Sequence, residues 1–310
     1  MIKSDKLKGT VFLFLAALFW GSAFVAQKIC SSFPFATNML RFLLGALFMT
    51  PVLIVYNKLQ LKNGKSLEDI KTERKRGIKG GLICGITLAI SSSLQQLGMA
   101  FGTTAGKSGF LTALYIIIIP VLGLFLKKTV KLDVWISVII AFVGAFLLSF
   151  SGVSPFCVGD VLTIICAFAF AVNIMCVDKF VSRADVVAFS MFQLLSAGLV
   201  CFVPCVVVNI TGYEVLTIDV LKTIILPVLY IAVFSCCVAF TFQVVGQKYL
   251  PPAPAAIIMS LESVFSVVFG IIFLKESLTL FSAIGTVLIF AAIIITETTP
   301  ISNALNKRRK

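Results

Sequence analysis

The stretch from Leu250 to Leu280, LPPAPAAIIMSLESVFSVVFGIIFLKESLTL, guides the interpretation of the whole chain. Its prolines cannot continue a preceding helix, and the apolar run after them is about as long as a bilayer is thick. One carboxylate, Glu262, lies near the middle of that run. The stretch therefore predicts a membrane-spanning helix that carries an acid near its centre.

The composition of the chain indicates an integral membrane protein. Of the 310 residues, 59% are hydrophobic and 13% are charged, whereas soluble domains carry about 25% charged residues. The net charge of +13 would suit a nucleic-acid-binding protein. Here, however, Lys and Arg lie in the short segments between apolar spans, as membrane orientation predicts. Nucleic acid is therefore not expected as a partner.

Several classes of chemistry are excluded by residues and motifs that the sequence lacks. It contains no histidine, which excludes Ser-His-Asp catalysis and His-ligated metals. Its nine cysteines mostly lie inside apolar spans, without Cys-x-x-Cys spacing, and are interpreted as packing residues. No phosphate-binding loop of the type that binds ATP occurs. We therefore expect no enzyme activity, no cofactor and no metal.

Ten apolar spans of about bilayer length can be drawn along the chain. Shifting the chain against itself by 148 positions aligns nine identical residues in 48 ungapped pairs, among them Gln95 with Gln243. We therefore predict an all-α integral membrane protein with ten transmembrane helices in two five-helix repeats, residues 1–152 and 153–310. The predicted spans are 9–27, 36–56, 78–100, 104–126, 133–151, 160–180, 185–208, 223–246, 253–274 and 279–296.

The odd number of spans in each repeat means that the second repeat enters the membrane upside down. Such inverted repeats are typical of secondary transporters, in which a central site is exposed to the two sides alternately. With the N-terminus inside, the cytoplasmic segments hold 21 Lys and Arg residues and the outer segments hold four. This excess predicts a multi-pass protein of the cytoplasmic membrane with both termini in the cytoplasm.

Three stretches carry a family resemblance. They are FWGSAF at 19–24 with Pro34 and Leu40-Arg41-Phe42, TTAGKSGFLT at 103–112 running to Pro120, and SLESVF at 260–265 followed by FLKESLT at 273–279. Together they resemble the EamA-type permeases of the drug/metabolite transporter (DMT) superfamily, and the resemblance covers nearly the whole chain.

The resemblance implies a cavity enclosed by helices one to four and six to nine, and export of amino acids or related metabolites. Solute uptake and drug export are alternatives within the same fold. The family often has a proline after the glutamate of the ninth helix, where this chain has Ser263. A straighter ninth helix is therefore expected.

Glu262 is the first candidate for a functional residue. An acid near the bilayer centre costs roughly 3 kcal/mol even on lenient scales, so its side chain is expected to face the bundle interior. It would carry protons or bind a substrate ammonium. The alternative is a structural hydrogen bond to a neighbouring helix.

Polar and aromatic residues within the spans supply the other candidates. Gln95 and Gln243 occupy equivalent positions, where they would line a shared cavity or bond neighbouring helices. Asn173 is a similar case. Arg41 would bind a carboxylate at an external gate, although snorkelling to the headgroups or bonding to a backbone carbonyl is favoured. Trp20 and Tyr115 would stack on a ligand or simply pack in the core.

The sequence thus predicts a secondary active transporter that works by alternating access. A membrane-embedded enzyme and a passive channel or scramblase are the alternatives from other classes. The expected partners are a small-molecule substrate such as an amino acid, the lipid bilayer, and protons as coupling ions. The chain is expected to be a monomer or a weak homodimer.

Overall fold

The structure is a computed structural model that describes residues 2–127, 130–149, 156–275 and 280–298. These residues form a helical bundle. Its helices are α1 (Ile2–Ile29), α2 (Pro34–Lys62), α3 (Leu67–Ala100), α4 (Ala105–Ala113), α5 (Tyr115–Phe125), α6 (Leu132–Ser149), α7 (Val158–Val181), α8 (Val186–Ile210), α9 (Ile218–Tyr230), the π-helical segment Ile231–Ala239, α10 (Phe240–Tyr249), α11 (Pro252–Met259), α12 (Leu261–Leu274) and α13 (Leu280–Thr298). The predicted repeat boundary at 152 and the basic tail at Lys307–Lys310 lie outside the described residues.

The ten predicted spans correspond to ten helical crossings. Eight described helical runs are long and apolar enough to span a membrane, and α6 and α13 contain shorter apolar runs. Three of the crossings consist of consecutive pieces, namely α4 with α5, α9 with the π-helical segment and α10, and α11 with α12. The protein is thus an all-α membrane protein, as its composition predicts.

The helix contacts follow the internal repeat. Helices α2 and α8 pack against each other, as do α6 and α13, so each of these elements meets its own counterpart. Helix α3 packs on α7 and α8, and its counterpart, the α9–α10 crossing, packs on α1 and α2. The two repeats are therefore interlocked rather than placed side by side.

Matching helix ends give a second sign of the repeat. Lys127 and Lys275, which the shift of 148 positions aligns, have positive φ angles of 55° and 57°. Each follows a Phe-Leu pair at the end of a helix. A left-handed residue commonly ends a helix, but glycine is usual there. The same sequence thus ends α5 and α12 in the same way.

The two ends of the bundle are named from their residues. We call the end that holds the α2–α3 loop (residues 63–66) the basic end, because eight Lys and Arg residues lie between 58 and 79. The opposite end, with the turns at 30–33 and 101–104, is the far end. There, Glu214 accepts hydrogen bonds from the N–H groups of Phe35 (3.1 Å) and Ala36 (2.7 Å) in the first turn of α2. Burial raises the pKa of Glu214 above its ordinary 4.5 despite these bonds.

Helix α1 approaches α12 closely at Gly21. A Cβ added there would lie 2.9 Å from both the carbonyl carbon of Phe265 and the N–H nitrogen of Ser266. Backbone atoms cannot move aside as a flexible side chain can, so only glycine permits this approach. The contact joins the first crossing, which belongs to the first repeat, to the ninth crossing, which belongs to the second repeat.

Candidate functional site

The fourth and ninth crossings each contain a short 3₁₀-like turn near their middle, at residues that keep right-handed helical dihedral angles (Leu114 φ −56°, ψ −18°; Ser260 φ −62°, ψ −14°). The first turn is at Leu114, where the N–H of Ile117 donates to the Leu114 carbonyl (3.1 Å). The second is at Ser260, where the N–H of Ser263 donates to the Ser260 carbonyl (3.0 Å). Both bonds span three residues, as in a 3₁₀ turn. The shift of 148 positions places the two turns within two residues of each other, so they are at matched depth.

The expectation of a straighter ninth helix stays a prediction, because the dihedral angles of Ser260 (φ −62°, ψ −14°) remain right-handed helical. Ser260 donates its hydroxyl to Ile257 O (2.7 Å), Ser263 to Ser260 O (2.7 Å), and Ser266 to Ser263 O (2.8 Å). Hydroxyl groups that bond the preceding turn compete with the backbone ladder and bend helices. Serines therefore accompany a 3₁₀-like turn here without the proline that the family often has.

A buried cavity lies beside both 3₁₀-like turns, at the centre of the bundle. It offers about 30 Å³ to the centres of water molecules, which is room for a few waters and too little for an amino acid. Helices from both repeats contribute to its wall. It is lined by Trp20, Phe24, Gln27, Arg41, Ser92, Gln95, Thr112, Tyr115, Phe170, Ile174, Ser235, Phe240, Gln243, Met259 and Glu262.

Six of the seven residues predicted as site candidates line this cavity. The exception is Asn173, whose side-chain amide donates to Cys84 O (2.9 Å) and to Thr87 Oγ1 (2.8 Å) on α3. These hydrogen bonds join α7 to α3, so Asn173 makes a polar contact between helices, which was the alternative to a place in the cavity wall. The six that meet are Trp20, Arg41, Gln95, Tyr115, Gln243 and Glu262.

The acid and the amides in the cavity have few partners. Glu262 is only 5% exposed, and its Oε1 has no hydrogen-bond partner among the described residues. The Tyr115 hydroxyl lies beside this carboxylate and is positioned to donate to it. Gln95 donates to Thr112 Oγ1 (3.0 Å), whereas Gln243 Oε1 has no partner in the described structure. Polar groups that are buried without partners are expected to bind water or a ligand.

Arg41 does not snorkel, contrary to the interpretation favoured from the sequence. It is 2% exposed, and its Nη1 donates to Gln27 Oε1 (2.9 Å). Its guanidinium carbon lies 4.7 Å from the centre of the Phe42 ring. Because Gln27 and Phe42 hold the side chain within the bundle, the guanidinium borders the cavity instead of reaching the headgroups.

Sequence reasoning missed several polar residues of the cavity wall. Gln27 had a usable signal, because Trp20, Phe24 and Gln27 are four and three residues apart and share one face of α1. Ser92 is likewise three residues before Gln95 on α3. No such pattern marks Ser235, which lies in the π-helical segment. Segments of this kind are frequent at functional sites.

The far end of the bundle is closed by polar contacts, some of which join the two repeats. Lys107 at the start of α4 forms an ion pair with Asp160 at the start of α7. Asp160 also accepts hydrogen bonds from Thr103 Oγ1 (2.9 Å) and from the N–H of Cys157 (2.9 Å). Within the first repeat, Lys28 Nζ donates to the carbonyl of Thr103 (3.0 Å).

Comparison with known proteins places the chain among membrane transporters. Residues 7–150 and 158–298 each match the EamA-like transporter family. An uncharacterized transporter of Archaeoglobus fulgidus is 33% identical over 287 residues, covering 91% of this chain and 83% of its own. One of Clostridium kluyveri is 23% identical over 307 residues, covering 93% and 92%.

The fold also has a counterpart among solved structures. A protein crystal structure superposes with a TM-score of 0.67 at 16% sequence identity, covering 93% of this chain and 95% of the other. At that identity the match concerns the fold alone. The family match extends over both halves, and the names of the relatives describe transporters rather than enzymes. The chain therefore belongs to the EamA-like transporter family.

Proposed function

We propose that this transporter is a secondary carrier that exports amino acids or related small metabolites by alternating access. The observation that supports the proposal most directly is the pair of 3₁₀-like turns at matched depth beside one polar cavity. Irregular helix segments at corresponding positions of two inverted repeats are a recurring feature of substrate sites in secondary transporters. The cavity wall combines amides and charges with aromatic side chains, which suits a small solute with both polar and apolar parts.

The proposed cycle alternates between opening at the far end and opening at the basic end. The cavity is too small for an amino acid in the present conformation, so the substrate enters only after the two repeats have moved apart at one end. In the proposed orientation the basic end faces the cytoplasm, because 21 Lys and Arg residues belong to that side. Export then begins with opening at the basic end.

Protons or the gradient of the substrate itself would drive transport. Among the described residues that line the cavity, Glu262 is the single carboxylate. It is therefore the candidate group for proton coupling. An ionisable residue in the membrane interior is a functional-site hypothesis by default.

Counterflow in proteoliposomes tests the proposal. Vesicles are loaded with an unlabelled panel of amino acids, sugars, nucleobases and cationic drugs, and uptake of each radiolabelled compound is followed with and without a pH step. Saturable, selective exchange is expected for amino acids. Flux that does not saturate and shows no counterflow would instead indicate a channel. Exchange of another class alone would retain the carrier and overturn the proposed substrate.

A matched pair of variants on the π-helical segment serves as a control. Ser235→Trp places a large side chain in the cavity and is expected to abolish exchange. Phe234 is the neighbouring residue and is 38% exposed, so Phe234→Trp is expected to retain exchange. Equal loss in both variants would show that the effect does not come from filling the cavity.

A further inference from the structure

A basic and an acidic side chain line the cavity without pairing with each other. Arg41 on α2 and Glu262 on α12 are 2% and 5% exposed. Within the described part of the chain, the guanidinium of Arg41 has no carboxylate within 4.0 Å, and Glu262 has no cation within that distance. The cavity therefore has one basic and one acidic group, and neither has an ion-pair partner among the described residues.

Each charged group also retains unused hydrogen-bonding capacity. Arg41 donates from Nη1 to Gln27 Oε1 (2.9 Å), but its Nε has no partner in the described structure. Glu262 Oε1 likewise has none among the described residues. A guanidinium presents a planar fork of donors that fits a carboxylate, whereas a carboxylate accepts bonds from an ammonium. The two groups are thus suited to opposite ends of one ligand.

Burial makes such an arrangement costly unless a ligand compensates it. Moving an ion from water into a protein interior costs several kcal/mol even after relaxation. A well-placed ion pair offsets part of that cost, and here neither charge has one. Isolated charges of this kind are retained where they bind something, because packing alone would favour apolar residues at both positions.

Arg41 and Glu262 lie at different depths in the bundle. Both α2 and α12 have one terminus at the far end. Arg41 is seven residues from that terminus of α2 and Glu262 twelve from that of α12, so they differ in depth by about 8 Å. A ligand that reaches both residues therefore has its two ends at different depths along the bundle.

We propose that Arg41 and Glu262 recognise the two ends of a zwitterion, with the ligand carboxylate on Arg41 and its ammonium on Glu262. The ammonium then lies closer to the basic end than the carboxylate does. The apolar wall, which includes Phe24, Phe170 and Met259, surrounds the side chain of the ligand. This assignment rests on the proposed transport of amino acids. It adds which chemical groups of the substrate the carrier recognises.

The test uses three leucine derivatives with the same side chain. L-Leucine carries both charges, L-leucinamide lacks the carboxylate, and N-acetyl-L-leucine lacks the ammonium. Each compound competes with radiolabelled L-leucine in counterflow by the full-length protein in proteoliposomes. In the wild type, each derivative is expected to compete at least about 30-fold less well than L-leucine, because one buried charge loses its partner.

Two substitutions then assign the ends of the ligand. Arg41→Met is expected to remove the preference for L-leucine over L-leucinamide. Glu262→Gln is expected to remove the preference for L-leucine over N-acetyl-L-leucine. Arg41→Lys keeps the charge and is expected to retain most of the first preference. If both preferences stay at wild-type values in the two neutral variants, the assignment is wrong.

Thermal unfolding of the purified variants without ligand separates binding from folding. Removing an uncompensated buried charge is expected to leave the melting temperature unchanged or to raise it. A lower melting temperature in both variants would show a structural role and overturn the assignment. Wild-type exchange of other solutes but of no amino acid would overturn the zwitterion site and leave the carrier standing. Absence of exchange for every solute would overturn the carrier itself.

Discussion

The ion pair between Lys107 and Asp160 allows a quantitative prediction about the contact between the repeats. The Asp160 side chain is fully buried, and that of Lys107 is 20% exposed. Lys107→Met removes the cation and keeps an unbranched side chain. Removing one partner of a buried pair costs about 3–5 kcal/mol. Because Thr103 and the N–H of Cys157 still donate to Asp160, we expect a loss of about 2–3 kcal/mol in the free energy of unfolding.

A double-mutant cycle measures this contribution. Lys107→Met, Asp160→Asn and the double variant are unfolded at equilibrium in detergent micelles. Without the carboxylate, the lost cation matters little, so the double variant is expected to be more stable than the sum of the single effects predicts, by about 2 kcal/mol. Lys222→Met is the control, since Lys222 and its partner Asp219 have 73% and 91% exposed side chains. It is expected to change stability by less than about 0.5 kcal/mol.

Additive effects would refute the reasoning. A coupling energy near zero would mean that Asp160 is held by its hydrogen bonds alone and that Lys107 is an interfacial cation, as its sequence position indicates. A loss in Lys222→Met as large as that in Lys107→Met would point to a general effect of losing positive charge.

Four further predictions concern single positions. Gly21→Ala is expected to cost about 1–3 kcal/mol of stability by overpacking, whereas Gly123→Ala, whose added Cβ would meet only one described side-chain atom, at 3.9 Å, is expected to cost nothing in the same unfolding assay. Glu262→Gln is expected to fold normally and to abolish the effect of a pH step on counterflow if Glu262 is the proton carrier; an unchanged pH profile would remove it from coupling. Asn173→Leu is expected to lower stability by about 1 kcal/mol and to leave the half-saturating substrate concentration unchanged, and a large shift in that concentration would place Asn173 in the site. Burial raises the pKa of Glu214, so the contribution of its protonated form to the free energy of unfolding is complete below pH 4.5 and is lost as the pH rises through the raised pKa. Glu214→Gln is therefore expected to remove this loss of stability with rising pH, as measured by unfolding at a series of pH values.

The repeat was the most predictable part of the fold, for a physical reason. Lipid dictates apolar residues throughout the spans, so identities there say little. Turns and helix ends are less constrained by lipid, and the Phe-Leu-Lys pattern that ends at Lys127 and at Lys275 shows the duplication. The shared left-handed conformation at these two lysines is the structural counterpart of that pattern.

The candidate site was predictable only in part. Amides and charges inside apolar spans are rare enough to be noticed individually, and this identified Gln95, Gln243, Arg41 and Glu262. Whether each one faces a cavity or another helix depends on helix rotation and packing, which sequence does not specify. Asn173 illustrates this, since it looked equivalent to the glutamines and bonds α3 instead. The pair formed by Lys107 and Asp160 joins residues 53 positions apart, and no local pattern relates them.

Duplication explains the shape of the cavity but not its charges. The two 3₁₀-like turns, at Leu114 and Ser260, are at matched depth, so the backbone offers similar surfaces from both repeats. The shift of 148 positions, however, pairs Glu262 with Leu114, a residue that cannot ionise. A symmetric site would bind a ligand equally well in either direction, whereas a cation towards the far end and a carboxylate deeper in the bundle favour one direction. In the proposed site, a zwitterion held by Arg41 and Glu262 keeps its orientation while the repeats move around it, so that during export the carboxylate enters first when the basic end opens and leaves first when the far end opens.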